Sequence, residues 1–131
     1  MIYGIGHDVL EIRRVELLMS GPYGQKFMER VLTRSEITLA VGKGGRRTEF
    51  VAGRFAAKEA VSKAFGCGIG SAIGFGDIEI LPDKLGRPVA ALSAAAWFRL
   101  GLELPEQFRI HLTISHQTEL ASAFAVIEKM D

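Results

Sequence analysis

The stretch EFVAGRFAAKEAVSKAFG, residues 49–66, decides the fold class. Placed at about 100° per residue, Phe50, Gly53, Ala57, Ala60, Val61, Ala64 and Phe65 form one apolar stripe, as expected of a helix packed on a core. Phe55, Glu59, Ser62, Lys63 and Gly66 fall on another arc, so the helix carries a second, chemically distinct face. Gly66 stops it. Upstream, residues 2–9 (IYGIGHDV) alternate, with Tyr3, Ile5, His7 and Val9 on one side and Gly4, Gly6 and Asp8 on the other. That is strand periodicity, and the two glycines leave room for a close backbone approach. Downstream, Asp77–Leu81, Pro88–Leu92, 108–116 and 120–128 read as strands, the last two joined by a tight connection at Gln117-Thr118-Glu119.

Shorter helical stretches fill the intervals. One runs from Ile12 to Met19, a second follows Gly21-Pro22 as far as Leu32, and Thr33-Arg34-Ser35-Glu36 is a capping box for a third. Ser93 caps a further helix reaching Leu102. The glycine-rich loop GKGGRRT, residues 42–48, carries only positive fixed charge and suits a mobile loop that meets an anion. The expected class is α+β with a mainly antiparallel sheet. No repeat or linker divides the chain, so residues 1–131 read as a single domain.

Nearly half of the residues (48%) are hydrophobic, which excludes a disordered chain. A formal net charge of +1 points to neither nucleic acid nor a membrane surface. Cys67 is the only cysteine, so no internal disulfide can form. Asp8, Glu11 and Arg13 interrupt any leader-like apolar run. A cytoplasmic protein is the expectation.

Two carboxylates stand out. Asp8 ends an apolar strand, where it either caps the helix that follows or serves as a ligand. Glu59 either pairs with Lys63 one turn on, as surface helices often do, or faces a site with it. Together, Asp8 and Glu59 would make a hard, all-oxygen site of the kind Mg²⁺ completes with water and phosphate. Lys63 would add charge for a phosphate oxygen. The segment Gly66–Gly76 fits neither a P-loop nor a dinucleotide fingerprint. It is either a linker or open backbone against a flat ring or phosphate. By alternation His116 is partly buried, and His111 lies on the opposite face. Neither histidine has zinc spacing. Ser115, His116 and Asp8 could be assembled into a triad only on paper, without a nucleophile elbow.

GIGHDVLEIRR (4–14), residues 49–66 and HLTISHQTELASAFAVIE (111–128), with LTRSE, GIG, DIEI and GRP between them, closely resemble the bacterial holo-[acyl-carrier-protein] synthase family over nearly the whole chain. The resemblance implies transfer of 4′-phosphopantetheine from coenzyme A to a serine of apo-acyl carrier protein, releasing adenosine 3′,5′-bisphosphate. It implies Mg²⁺ at Asp8 and Glu59, and Lys63 beside the transferring phosphate. Glu59 or a metal-held water would deprotonate the carrier serine. By the same resemblance Arg54, Phe55, Ser62, Gly66, Gly68, Ile69 and Gly70 would line the nucleotide site, with Pro88 and His116 as further coenzyme A contacts. Arg46 or Arg47 would meet its phosphates, and Arg14, Lys26 and Arg30 would face the acidic carrier. Small members of the family are homotrimers with active sites at subunit interfaces. His7 stands where the family more often has an apolar residue.

Two other classes compete: a coenzyme A-binding module without turnover, and a purely structural oligomer. Binding alone would not need Asp8, Glu59 and Lys63 together. Mg²⁺-dependent coenzyme A binding would exclude the structural oligomer.

Overall fold

The computed structural model describes all residues, 1–131. In chain order the elements are β1 (Ile2–Glu11), α1 (Ile12–Ser20), α2 (Gly24–Val31), α3 (Arg34–Val41), α4 (Arg47–Ala64), β2 (Ile78–Pro82), β3 (Pro88–Leu92), α5 (Ala94–Arg99), β4 (Phe108–His116) and β5 (Leu120–Lys129). The strands make an antiparallel three-stranded sheet in the order β1-β5-β4 and a two-stranded ribbon, β2-β3. The α+β architecture expected from the sequence is the one observed.

Helix α4 is the axis of the molecule, and its two sides serve two cores. One side packs on the sheet, where Ala57, Ala60, Val61 and Ala64 meet Ala123, Ala125 and Ile127 of β5. The other side carries Val51 and Ala52 into a second core with Ile12 and Val15 of α1, Met28 and Val31 of α2, Leu32 just after it and Ala40 of α3. The single apolar stripe is therefore too narrow a description. The second arc is also largely covered: Ser62 is fully buried, and Phe55 stacks between Phe27 and Phe75, with ring centroids 6.3 and 5.1 Å away.

Helix and sheet meet closely because β1 presents glycines to α4. A Cβ on Gly6 would lie 1.9 Å from the Ala60 carbonyl oxygen, and one on Gly4 would lie 1.9 Å from that of Ala64. The close approach foreseen at these glycines is thus made by the protein's own helix. The other face of β1 remains uncovered: Ile5 is 60% exposed and Val9 49%, beside Phe124 of β5 at 42%.

The capping box is present: Thr33 Oγ1 accepts from Glu36 N and Glu36 Oε1 accepts from Thr33 N. Several boundaries move. The helix expected from Glu49 starts at Arg47, so the 42–48 loop is shorter and contains a 3₁₀ turn at Gly44–Arg46. The helix expected to reach Leu102 ends at Arg99, because Gly101 turns the chain with φ +71°. No helix is long and apolar enough to cross a membrane.

Candidate active site

The strand β1 and the C-terminal half of α4 bring Asp8 and Lys63 into contact. Lys63 Nζ donates to Asp8 Oδ1 at 3.0 Å and to the His7 carbonyl oxygen at 3.3 Å. Lys63 therefore turns to Asp8, and the helical Glu59–Lys63 pair weighed from the sequence does not form. Glu59 lies one turn earlier, half-buried. Burial pushes its carboxyl above the usual range and the Asp8 charge adds to the rise, against the opposing pull of Lys63. A carboxyl raised by burial and by a neighbouring carboxylate, with Lys63 bound to that neighbour, forms a site that favours a cation or a bound proton.

The donor chemistry suits Mg²⁺. Both groups offer hard oxygens, and no cluster of three or more acidic, histidine or cysteine side chains encloses the site. One or two carboxylates that leave positions for water and substrate phosphate are the usual Mg²⁺ arrangement, whereas closed all-protein cages are not.

Helix α4 ends beside this constellation. Gly66 and Gly68 have φ of +85° and +68°, and the amides of Cys67 and Gly68 both donate to the Ser62 carbonyl. Nothing lies within 4 Å of where a Cβ would stand on Gly66, Gly68 or Gly70, so this backbone is open to a ligand. Ile69 is half-buried and packs on the sheet-side core. Ser62 lies beneath the surface, its hydroxyl donating to the Glu59 carbonyl at 2.8 Å.

The remaining predicted contacts gather elsewhere. Arg54, Pro88 and His116 line one shallow cleft of about 210 Å³ with Glu49, Phe50 and Ile114. Arg46 joins His116, Glu49 and Lys43 around an adjoining hollow of about 100 Å³. The Arg54 guanidinium is held by Nε donating to the Ile80 carbonyl at 3.2 Å and lies 4.4 Å over the Phe50 ring. His116 is exposed, at the strand end beyond the core, with Nδ1 3.9 Å from Glu49. The alternation that predicted partial burial holds for Ile110, Leu112 and Ile114 but runs past the core edge at His116. Arg47 Nε is buried without a hydrogen-bond partner. Arg14, Lys26 and Arg30 are exposed on α1 and α2. Nine residues of helix separate Arg54 from Lys63, about 13 Å at helical rise.

The family model for the 4′-phosphopantetheinyl transferase superfamily matches residues 4–125. The chain belongs to this superfamily. It is an enzyme, and its relatives are holo-[acyl-carrier-protein] synthases. One from Bacillus cereus strain G9842 is 46% identical over 129 residues, covering 98% of this chain and 97% of the relative. The crystal structure of the synthase from Bacillus anthracis in complex with CoA (3′,5′-ADP) superposes with TM-score 0.82 at 46% identity, covering 98% of each chain. The synthase from Neisseria meningitidis superposes with TM-score 0.85 at 39% identity, covering 98% of this chain and all (100%) of the other.

Two charged residues at the centre of the structure escaped the sequence reading. Glu36 is legible as a capping residue, but its partner Lys58 is 22 positions away and the two form a fully buried ion pair. No local pattern signals such a pair.

Proposed function

We propose that this protein transfers the 4′-phosphopantetheine group of coenzyme A to a serine hydroxyl of an apo-acyl carrier protein, in the service of fatty acid synthesis in the cytoplasm. The observation that carries the reading is the convergence of Asp8, Glu59 and Lys63 beside the open backbone of Gly66–Gly70. Family membership and the coenzyme A complex of the Bacillus anthracis relative support it.

In the reaction the serine Oγ forms a bond to the phosphorus that carries the pantetheine arm. The bond from that phosphorus to the oxygen of adenosine 3′,5′-bisphosphate breaks, and the serine proton leaves to a base. Asp8 and Glu59 would hold Mg²⁺, which supplies positive charge to the pyrophosphate oxygens. Lys63 holds Asp8 in place and offers its ammonium to the phosphoryl oxygens, where charge develops. Glu59, or a water held beside it, would take the serine proton.

The phosphate-binding candidates Arg46, Arg54, Pro88 and His116 gather around the N-terminal half of α4, and Arg54 lies about 13 Å along the helix from Lys63 of the same copy. That separation, together with the uncovered apolar face of β1 and β5, supports a homotrimer whose sites are completed between subunits.

Intact-mass spectrometry of an apo-acyl carrier protein incubated with this protein, coenzyme A and Mg²⁺ tests the proposal. The expected result is a mass gain of one phosphopantetheine arm that EDTA prevents. No gain with any carrier offered, and no binding of coenzyme A, overturns it.

A further inference from the structure

Lys58 sits mid-helix in α4, one residue before Glu59, and is fully buried. A lysine there would shed its proton unless fully partnered. Its Nζ donates to Glu36 Oε1 at 2.6 Å, to the Val31 carbonyl at 2.7 Å and to the Phe75 carbonyl at 3.1 Å. Those three bonds exhaust its donors. Glu36 is equally engaged, with Oε1 also accepting from Thr33 N at 2.7 Å and Oε2 from Ile80 N at 2.8 Å. One ion pair thus ties α4 to the last residue of α2, the cap of α3, the turn at Phe75 and strand β2.

A dry ion pair is not the most stabilising way to fill such a space, since apolar groups of similar volume often do as well or better. What the pair secures is geometry. Val31 closes α2, whose exposed surface carries Lys26 and Arg30. Glu59 and Lys63 follow Lys58 directly on α4. Only one side chain separates the anchoring of the basic surface from the carboxylate of the transfer site.

We propose that Lys58, held by Glu36, is a positioning residue for carrier docking, fixing the basic surface of α2 relative to Glu59 so that a docked acidic carrier presents its serine to the site. The proposal rests on the function proposed above. Lys58 itself touches neither substrate.

The test compares the parent with the double variant Glu36→Gln/Lys58→Met, which keeps the volume and removes both charges, and with Glu36→Gln alone. Each is characterised by thermal unfolding, steady-state transfer and calorimetric titration with coenzyme A. In the folded variants the KM for the carrier is expected to rise about tenfold, since misplacement of about 1 Å has effects of that order or more. The Kd for coenzyme A stays within about twofold of the parent on the same grounds, because the nucleotide contacts are not moved. A purely structural role would lower the active fraction without separating the two substrates. An unchanged carrier KM in a folded variant, or an equal loss toward both substrates, overturns the proposal. A parent that transfers nothing sinks the function itself, whereas an active parent with an unaltered variant sinks only the positioning role.

Discussion

Lys63 Nζ stands 3.0 Å from Asp8 Oδ1, joining the middle of the first strand to the penultimate residue of the long helix. The lysine side chain is 47% exposed, so the pair contributes only about 0.5 kcal/mol to stability. Its value lies in the site. Asp8→Asn, Glu59→Gln and Lys63→Met should each lower the transfer rate about a hundredfold or more, the usual order for a group that stabilises developing charge. The melting temperature should stay within a few degrees of the parent in each. Substantial activity in the Asp8 or Glu59 variant, measured by intact-mass time courses, would remove the metal-site assignment.

Gly6 and Gly53 predict opposite outcomes for the same substitution. An added Cβ on Gly6 meets the Ala60 carbonyl oxygen at 1.9 Å and the Ala64 nitrogen at 2.7 Å, all rigid backbone. Gly6→Ala should cost about 3 kcal/mol or more, because strand and helix would have to separate. On Gly53 the Cβ meets only the Ile114 Cγ2 methyl, at 3.2 Å. Gly53→Ala gains up to about 1 kcal/mol of helix propensity, which offsets the adjustment of that methyl. Denaturant titrations should therefore show a large loss for the first variant and a change of less than about 1 kcal/mol for the second.

These glycines also mark what could be read in the sequence. Period-2 alternation located β1 and sorted the faces of β4, and the apolar stripe located α4, because each is a local consequence of burying one face. The sequence also indicated that something approaches Gly4 and Gly6 closely. It could not say that the visitor is α4, since that contact spans more than 50 positions. Asp8 and Glu59 were legible as hard-oxygen candidates, and their electrostatic coupling emerges only when strand and helix pack. The helical wheel puts Ser62 on a second, chemically distinct arc but does not show that arc to be covered, because a wheel singles out one buried side, whereas α4 is covered on two. Lys58 and Glu36 were missed for the same reason: charged residues read as surface until both ends of the pair are seen.

Asp77 gives the acid limb of stability a specific origin. Burial pushes its carboxyl up, but hydrogen bonds from Ser93 Oγ, Gly74 N and Arg99 outweigh that and hold it below the usual range. A carboxyl depressed in the folded state adds stability above its unfolded value near 3.8, and that stability is lost as the pH falls through the lower folded value. Asp77→Asn should therefore cost about 2 kcal/mol at neutral pH. The parent and variant melting temperatures should converge as the pH drops below about 4. A gap that stays constant from pH 7 to pH 3 would show that the charge of Asp77 contributes nothing.

The uncovered face of β1 and β5 carries the last prediction. Ile5 and Val9 alternate along β1 beside Phe124, which lies opposite His7 with ring centroids 5.9 Å apart. Each of these apolar side chains is at least 42% exposed in a single copy. Burying such a row against two further copies would stabilise the assembly at about 25 cal/mol per Å² of apolar surface removed from water. A carboxylate placed in the row would be desolvated without a partner and should prevent assembly. Ile5→Glu is expected to yield a folded monomer by light scattering and circular dichroism, with transfer activity largely lost. The loss follows from the proposed site, which is completed between copies: Arg54 and His116 line a cleft beside the N-terminal half of α4, with Arg54 about 13 Å along the helix from Lys63 of the same copy. A monomeric Ile5→Glu variant with full activity would show that one copy completes the site alone.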